Sequence, residues 1–94
     1  MATLQDAYGP SPDVVFRELE GEAVILNLET GIYFGLNATG VRMWQLIETH
    51  RRLDAVLAAL EREFDAPAAQ LERDLLAWVT QVEGQGLLRQ EPGA

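Results

Sequence analysis

The chain has 94 residues, of which 48% are hydrophobic, no cysteine and a formal net charge of −8. This length suits one domain with a modest core and is too short for two, and the hydrophobic content excludes a disordered chain. The acidic excess argues against nucleic-acid binding, which depends on Lys and Arg neutralising phosphates. Without cysteines the chain has neither disulfides nor thiolate metal ligands.

The sequence shows neither a membrane-spanning segment nor an N-terminal secretory signal. No apolar run approaches the roughly 20 residues that span a bilayer, and the first residues lack the basic start and apolar stretch of a secretory signal. We therefore expect a cytoplasmic protein that does not contact membranes. Residues 1–12, which contain Gly9, Pro10 and Pro12, are predicted to form a flexible arm. A single domain is expected over residues 13–90, with a tail over residues 91–94.

Three segments in the first half of the chain have β character. The first is Val14–Leu19, the second Ala23–Leu28 and the third Ile32–Leu36. The second and third alternate in polarity, so that odd- and even-numbered residues lie on opposite faces. Glu20, Gly21 and Glu22 form a turn between the first two segments. Gly31 can adopt a positive φ in a tight hairpin between the last two. The pattern predicts a three-stranded antiparallel meander.

Three helices are predicted after the strands. Asn37 is a good N-cap for the first, because its side chain can accept from free N–H groups of the first turn. A polar connection, His50-Arg51-Arg52, separates the first two helices, and Asp65-Ala66-Pro67 separates the last two, since proline is poorly tolerated inside a helix. Gly84 and Gly86 end the third helix. The apolar stripes are Val41, Trp44 and Ile47, then Leu53, Val56, Leu57, Leu60 and Phe64, then Leu71, Leu75, Trp78, Val79 and Val82.

The order of strands and helices predicts an α+β fold that is winged-helix-like, with three helices packed on one face of a three-stranded antiparallel sheet. A short sheet has two edges whose unpaired N–H and C=O groups can pair with another chain. Such an edge can bind a partner and also permits weak edge-to-edge homodimers at high concentration.

Little in the sequence points to catalysis. His50 is the only histidine and lies in a polar loop, where a surface role is far more common than a catalytic one. None of the common nucleotide-, zinc- or serine-hydrolase motifs occurs. The carboxylates of the second and third helices fall mostly on predicted outer faces. We expect no enzyme activity, no cofactor and no metal.

The stretch Ile25–Asn37, followed by Gly40 and Trp44, resembles the opening of the PqqD-like family: an apolar strand, a turn with glycine, an aromatic strand ending in Leu-Asn, and a helix with glycine and tryptophan. Asp74, Trp78, Val82 and Gly86-Leu87-Leu88 resemble its closing pattern. The resemblance runs from about Val14 to Leu88, and the first block is the more specific. One departure is Arg52, where the family often has a threonine N-cap.

The resemblance implies a recognition element for ribosomally made, modified peptides. In this family the leader segment of a precursor adds as a strand to the third strand, in a groove beside the third helix, and is delivered to a partner enzyme. The Thr30–Phe34 pattern is most similar to standalone leader-binding proteins of lasso-peptide clusters, whose partners are a leader peptidase and a maturation enzyme. The implied peptide-binding residues are Ile32, Tyr33, Phe34, Gly35, Leu36, Leu71, Asp74, Leu75, Trp78, Val79 and Val82.

Two of these residues have a second interpretation. Trp78 can cover the core or line the groove, and the sequence favours the core. Asp74 can pair with a basic leader residue or a backbone N–H, or it can support the helix terminus or the sheet edge. Three other functions stay open: a PQQ-pathway peptide chaperone serving a radical SAM enzyme, a non-enzymatic winged-helix adaptor, and a DNA-binding module. DNA binding would need a basic recognition helix, whereas the third helix has Glu72, Asp74 and Glu83 against Arg73 alone.

Overall fold

A computed structural model describes residues 2–20 and 22–92. Gly21 of the predicted turn and the last two residues of the predicted tail lie outside these ranges. The elements in chain order are β1 (Ala7–Pro10), β2 (Val14–Leu19), β3 (Glu22–Asn27), β4 (Tyr33–Leu36), α1 (Ala38–His50), α2 (Leu53–Glu63), α3 (Ala68–Gly84) and β5 (Leu88–Glu91).

The predicted meander is present as an antiparallel sheet in the order β2-β3-β4, and the three predicted helices follow it. The α+β prediction is therefore confirmed. One face of this sheet is turned to the core: Phe16, Ile25 and Phe34 form a cross-strand row in which Ile25 is fully buried. The Phe16 ring stacks on Trp44 of α1, with centroids 6.5 Å apart and 9° between the ring planes. This contact fastens the sheet to the helices.

The helices begin and end where their sequence signals lie. The Asn37 side chain accepts from the Gly40 N–H at 2.8 Å and caps α1. At the start of α2, Arg52 provides no side-chain cap. Instead the first two N–H groups of α2, those of Leu53 and Asp54, donate to carbonyls of the N-terminal segment at 3.0 and 3.1 Å. The missing threonine cap is thus replaced by backbone acceptors.

The prediction of a loose N-terminal arm is wrong for residues 7–10. They form β1, which pairs antiparallel with β5 in a second, two-stranded sheet. Tyr8 is only 1% exposed. Its N–H donates to the Arg51 carbonyl at 2.9 Å, and its hydroxyl lies 3.2 Å from Glu83 of α3. The boundary expected at residue 13 leaves β1 out of the domain, and the boundary at residue 90 divides β5.

The buried Tyr8 hydroxyl is expected to make the fold less stable at alkaline pH. Burial, together with the nearby Glu83 carboxylate, raises the pKa of the Tyr8 phenol to about 12, from an ordinary value of 10.0. The folded chain therefore keeps this proton while the unfolded chain loses it above about pH 10, which favours unfolding. We expect full stability below pH 10 and a fall as the pH rises towards 12, measured by urea unfolding followed by circular dichroism.

Tyr8→Phe is the matched control. It should cost about 1 kcal/mol at neutral pH through the lost hydrogen bond and should remove most of the alkaline fall. An equal fall in both proteins would show that groups other than Tyr8 cause it.

Candidate functional site

The outer edge of β4 is open. β4 pairs with β3, and no other strand of the described ranges pairs with it. The Asn27 N–H donates to the Ile32 carbonyl at 2.9 Å, so this pair is hydrogen-bonded across the hairpin. Because hydrogen-bonded and non-hydrogen-bonded pairs alternate along antiparallel strands, Phe34 and Leu36 direct their backbone groups to β3. The N–H and C=O groups of Tyr33 and Gly35 therefore point away from the sheet.

Helix α3 runs alongside β4 in the opposite direction, as two contacts show. Near the start of β4, the Asn27 side chain donates to the Gly86 carbonyl, just beyond the C-terminus of α3, at 3.1 Å. Near the end of β4, a Cβ placed on Gly40 would lie 3.3 Å from both Leu36 Cδ2 and Trp78 Nε1. Gly40 thus allows the Trp78 ring to approach the β4–α1 junction.

The flank of α3 on this side follows from helical periodicity. Residues three and four positions apart are neighbours on a helix surface, so Asp74, Gln81 and Gln85 share a flank with Trp78. Trp78 is half-buried and packs against the core, whereas the other three are exposed. We call the space between the β4 edge (Tyr33–Leu36) and this flank the β4–α3 groove.

Asn27 ties the hairpin to α3. It is 7% exposed and is the only buried polar residue in the described ranges. Its Oδ1 accepts from the N–H groups of Glu29 and Thr30 at 2.8 and 3.1 Å, which shapes the hairpin loop, and its Nδ2 holds Gly86. In the same loop Gly31 has φ +77. The Asn27 amide therefore links the hairpin loop to the residue that follows the C-terminus of α3 at this end of the groove.

The residues implied by the resemblance divide into two groups. The accessible group consists of Ile32, Tyr33, Phe34, Gly35, Asp74 and Trp78, and the Tyr33 side chain is 71% exposed. The buried group consists of Leu36, Leu71, Leu75, Val79 and Val82, of which none is more than 6% exposed. The buried residues pack in the core and have little exposed surface. Both interpretations of Trp78 hold in part, since it contacts the core and keeps an exposed portion.

Charged contacts in the described ranges lie away from the groove. The ion pairs are Arg42–Glu63, Arg51–Glu91 and Arg52–Asp54. Arg42 forms a bidentate contact with Glu63 at 2.6 and 2.8 Å, and these hydrogen bonds lower the pKa of the Glu63 carboxyl. Asp74 bonds to no other described side chain, so it is available to a ligand. Within the same ranges no cluster of three or more His, Cys, Asp or Glu residues could hold a metal ion.

Sequence reasoning missed two residues that build the groove. Asn27 lies on the core-facing side of β3 with Ala23 and Ile25. The alternation of apolar and polar residues along this strand predicts an apolar residue at position 27, so the polar side chain found there was the available signal. Gly40 was noted only as part of a motif, because its contact with Trp78 joins residues that are distant in sequence. No helix among the described residues has the length and apolarity that a membrane crossing requires.

Comparison with known proteins identifies the family. Residues 22–88 match the sequence model of coenzyme PQQ synthesis protein D (PqqD), and the chain belongs to this family.

Two solved structures are similar to this chain. TbiB1, in complex with the TbiA(beta) leader peptide, is 34% identical with a TM-score of 0.79, over 86% of this chain and 94% of that one. A lasso peptide synthetase B1, complexed with a leader peptide, has a TM-score of 0.80 over 88% and 98% of the two chains. Its identity is 23%, so it supports the fold alone. No functionally curated protein matches.

Asn27→Ala should destabilise the protein by about 2 kcal/mol or more, because it leaves the Glu29, Thr30 and Gly86 backbone groups without their partner. Urea unfolding measures the loss. Asn37→Ala is a suitable comparison, since it removes only the α1 cap at a typical cost of about 1 kcal/mol. A smaller loss for Asn27→Ala than for Asn37→Ala would contradict the role assigned to Asn27.

Proposed function

We propose that this protein binds the leader segment of a ribosomally synthesised precursor peptide as a strand added to β4, in the β4–α3 groove. In this role it presents the peptide to a leader peptidase or another maturation enzyme of a lasso-peptide pathway. The observation that carries the proposal is the open edge of β4 beside the half-buried Trp78. It is supported by the family and by the likeness to TbiB1, whose structure contains a leader peptide.

Backbone hydrogen bonds to the β4 edge would supply affinity for any extended peptide. Tyr33 and Gly35 each direct one N–H and one C=O outward, so up to four backbone hydrogen bonds are available. In strand addition these bonds provide affinity, while pockets for alternate side chains provide specificity. Edge strands are normally shielded against such pairing, and β4, with only four residues, limits it to a short segment.

The side-chain contacts fall to the accessible group. Tyr33 and Trp78 are the best anchors because aromatic residues dominate binding hot spots. Asp74 lies six residues past the start of α3, so the helix terminus does not need it, and its carboxylate can pair with a basic group of the peptide. The buried group acts indirectly: Leu75, Val79 and Val82 hold α3 at its distance from β4.

Binding and presentation require no catalytic group or cofactor in this chain, and the maturation enzyme would supply the chemistry. The Thr30–Phe34 pattern, which is most similar to leader-binding proteins of lasso-peptide clusters, favours a lasso-type pathway over the PQQ pathway. DNA binding is disfavoured because α3 exposes Glu72 and Asp74 beside Arg73, a surface that would repel phosphates.

The direct test is fluorescence anisotropy with a labelled leader peptide, taken from the precursor gene beside this chain's gene, and with the TbiA(beta) leader as a second probe. We expect saturable binding at or below about 1 μM, equivalent to roughly 8 kcal/mol, and its loss when the leader is scrambled. Equal binding of scrambled and native leaders would refute leader recognition.

Tyr33→Pro tests strand addition at the proposed register. Proline removes the outward N–H of Tyr33, and proline is tolerated on an edge strand where that N–H does not serve the sheet. We expect binding to weaken about tenfold, as the loss of one hydrogen bond and local adjustment of the edge imply, with the circular dichroism spectrum unchanged. Tyr33→Val keeps the N–H and controls for the lost ring. If both variants bind equally, the N–H does not contribute.

Trp78→Ala tests the groove wall on α3. We expect leader binding to fall at least several-fold, since truncating a buried aromatic anchor commonly costs more than 1 kcal/mol. Leu76→Ala is the matched control, because Leu76 is also half-buried on α3 and packs on the core, but on the opposite flank. Thermal unfolding measures stability for both. Parallel losses of stability and binding in the two variants would assign Trp78 to the core alone.

A further inference from the structure

The N-terminal segment is built into the fold on two sides. We call residues 2–10 the N-terminal strap. On one side the strap pairs with the connection between α1 and α2: the Tyr8 N–H donates to the Arg51 carbonyl at 2.9 Å, and the Leu53 N–H donates to the Asp6 carbonyl at 3.0 Å. On the other side β1 pairs with β5, the strand that follows α3. The strap therefore joins the α1–α2 connection to the strand that leaves α3.

An ion pair closes over the strap at Gly9. Arg51, from the α1–α2 connection, pairs with Glu91 of β5 at 3.1 Å. A Cβ placed on Gly9 would overlap both of these side chains, so the ion pair crosses the strap directly above this glycine. Because residue 9 has no side chain, the two neighbours of β1 can meet across it.

Tyr8 connects the strap to α3. Its side chain is 1% exposed, and its hydroxyl donates to Glu83 Oε1 at 3.2 Å. Successive residues of a helix advance by about 100°, so Glu83 and Trp78, five residues apart, lie about 140° apart around α3. Tyr8 therefore holds α3 on the flank that faces away from the β4–α3 groove.

The C-terminal end of α3 is thus held by polar contacts on both sides. The Asn27 amide binds the Gly86 carbonyl at 3.1 Å on the groove side, and Tyr8 binds Glu83 on the opposite flank. The apolar stripe decides which face of α3 is buried, but apolar packing is non-directional. Directional hydrogen bonds on two flanks fix the remaining rotation of the helix. Without one of them, Trp78 would shift relative to the β4 edge.

We propose that the N-terminal strap positions α3 for peptide binding and that Tyr8 is the positioning residue, through its contact with Glu83. This inference rests on the proposed function. None of the residues that border the β4–α3 groove belongs to the strap, so Tyr8 acts on the peptide only through α3. The strap also precedes residues 22–88, which match the family, so the matched pattern assigns it no role.

The test combines Tyr8→Phe with two changes at Glu83. Tyr8→Phe removes the donor and Glu83→Ala removes the acceptor, whereas Glu83→Gln keeps an acceptor, because an amide oxygen also accepts from a phenol. The probe is the labelled leader of the neighbouring precursor gene. Its affinity is measured by anisotropy at a temperature at which circular dichroism shows every variant to be folded.

We expect Tyr8→Phe and Glu83→Ala each to weaken leader binding about three- to tenfold, as is typical of residues that modulate a site without touching its ligand. The double variant should bind no more weakly than either single variant, because both changes remove the same contact. Glu83→Gln should bind like the wild type. In the free protein, the NMR signal of the Trp78 indole N–H should move in Tyr8→Phe and Glu83→Ala and stay in place in Glu83→Gln.

Val56→Ala is the control for a general loss of stability. It truncates a fully buried side chain of α2 and should destabilise the protein at least as much as Tyr8→Phe. Because binding is measured on folded protein, Val56→Ala should leave the leader affinity and the Trp78 signal unchanged.

The outcomes separate the two proposals. Failure of the leader to bind the wild type overturns the proposed function and, with it, the role of the strap in peptide binding. Three results leave leader binding intact and overturn the role of the strap alone: wild-type affinity for Tyr8→Phe, equal losses of affinity for Tyr8→Phe and Val56→Ala, or additive losses in the double variant.

Discussion

Helix α3 is held in the hydrophobic core by apolar side chains that have no exposed surface. Leu75, Val79 and Val82 are all fully buried, so the helix cannot rotate without exposing them or burying its charged outer face. Both ends of the groove depend on this placement. It brings Gly86 within reach of the Asn27 amide and brings the Trp78 ring against Gly40. It also returns the chain so that β5 can pair with β1.

The same packing leaves β4 at the edge of the sheet with its outward groups free. Exposed edges invite uncontrolled pairing, and this one is short, flanked by the loop at Gly31 and by the start of α1. The net charge of −8 further opposes association between copies of the chain. An edge of this kind suits the temporary binding of an extended peptide, in which backbone hydrogen bonds supply affinity and neighbouring side chains select the sequence.

Local signals predicted most of the fold. Alternation placed the three strands of the main sheet to within one or two residues, Asn37 marked the start of α1, and Pro67 separated α2 from α3. The small sheet of β1 and β5 was missed because its two strands are about eighty residues apart and four residues long. Glycine and proline in β1 also favour a loop interpretation. Burial of Tyr8 against α3 outweighs that local preference.

For the site, the sequence by itself determined a strand over Ile32–Leu36 and the apolar stripe of α3, because periods of two and of about 3.6 residues are present in the order of the side chains. It did not determine which flank of that stripe borders the groove, since a stripe has two flanks and the chain order is the same for either. Only the tertiary structure decided this: α3 packs with its Glu83 flank on Tyr8 and its Trp78 flank towards β4. Long-range contacts at Asn27 and Gly40 hold it there, and no local pattern encodes the partner of a contact so distant along the chain.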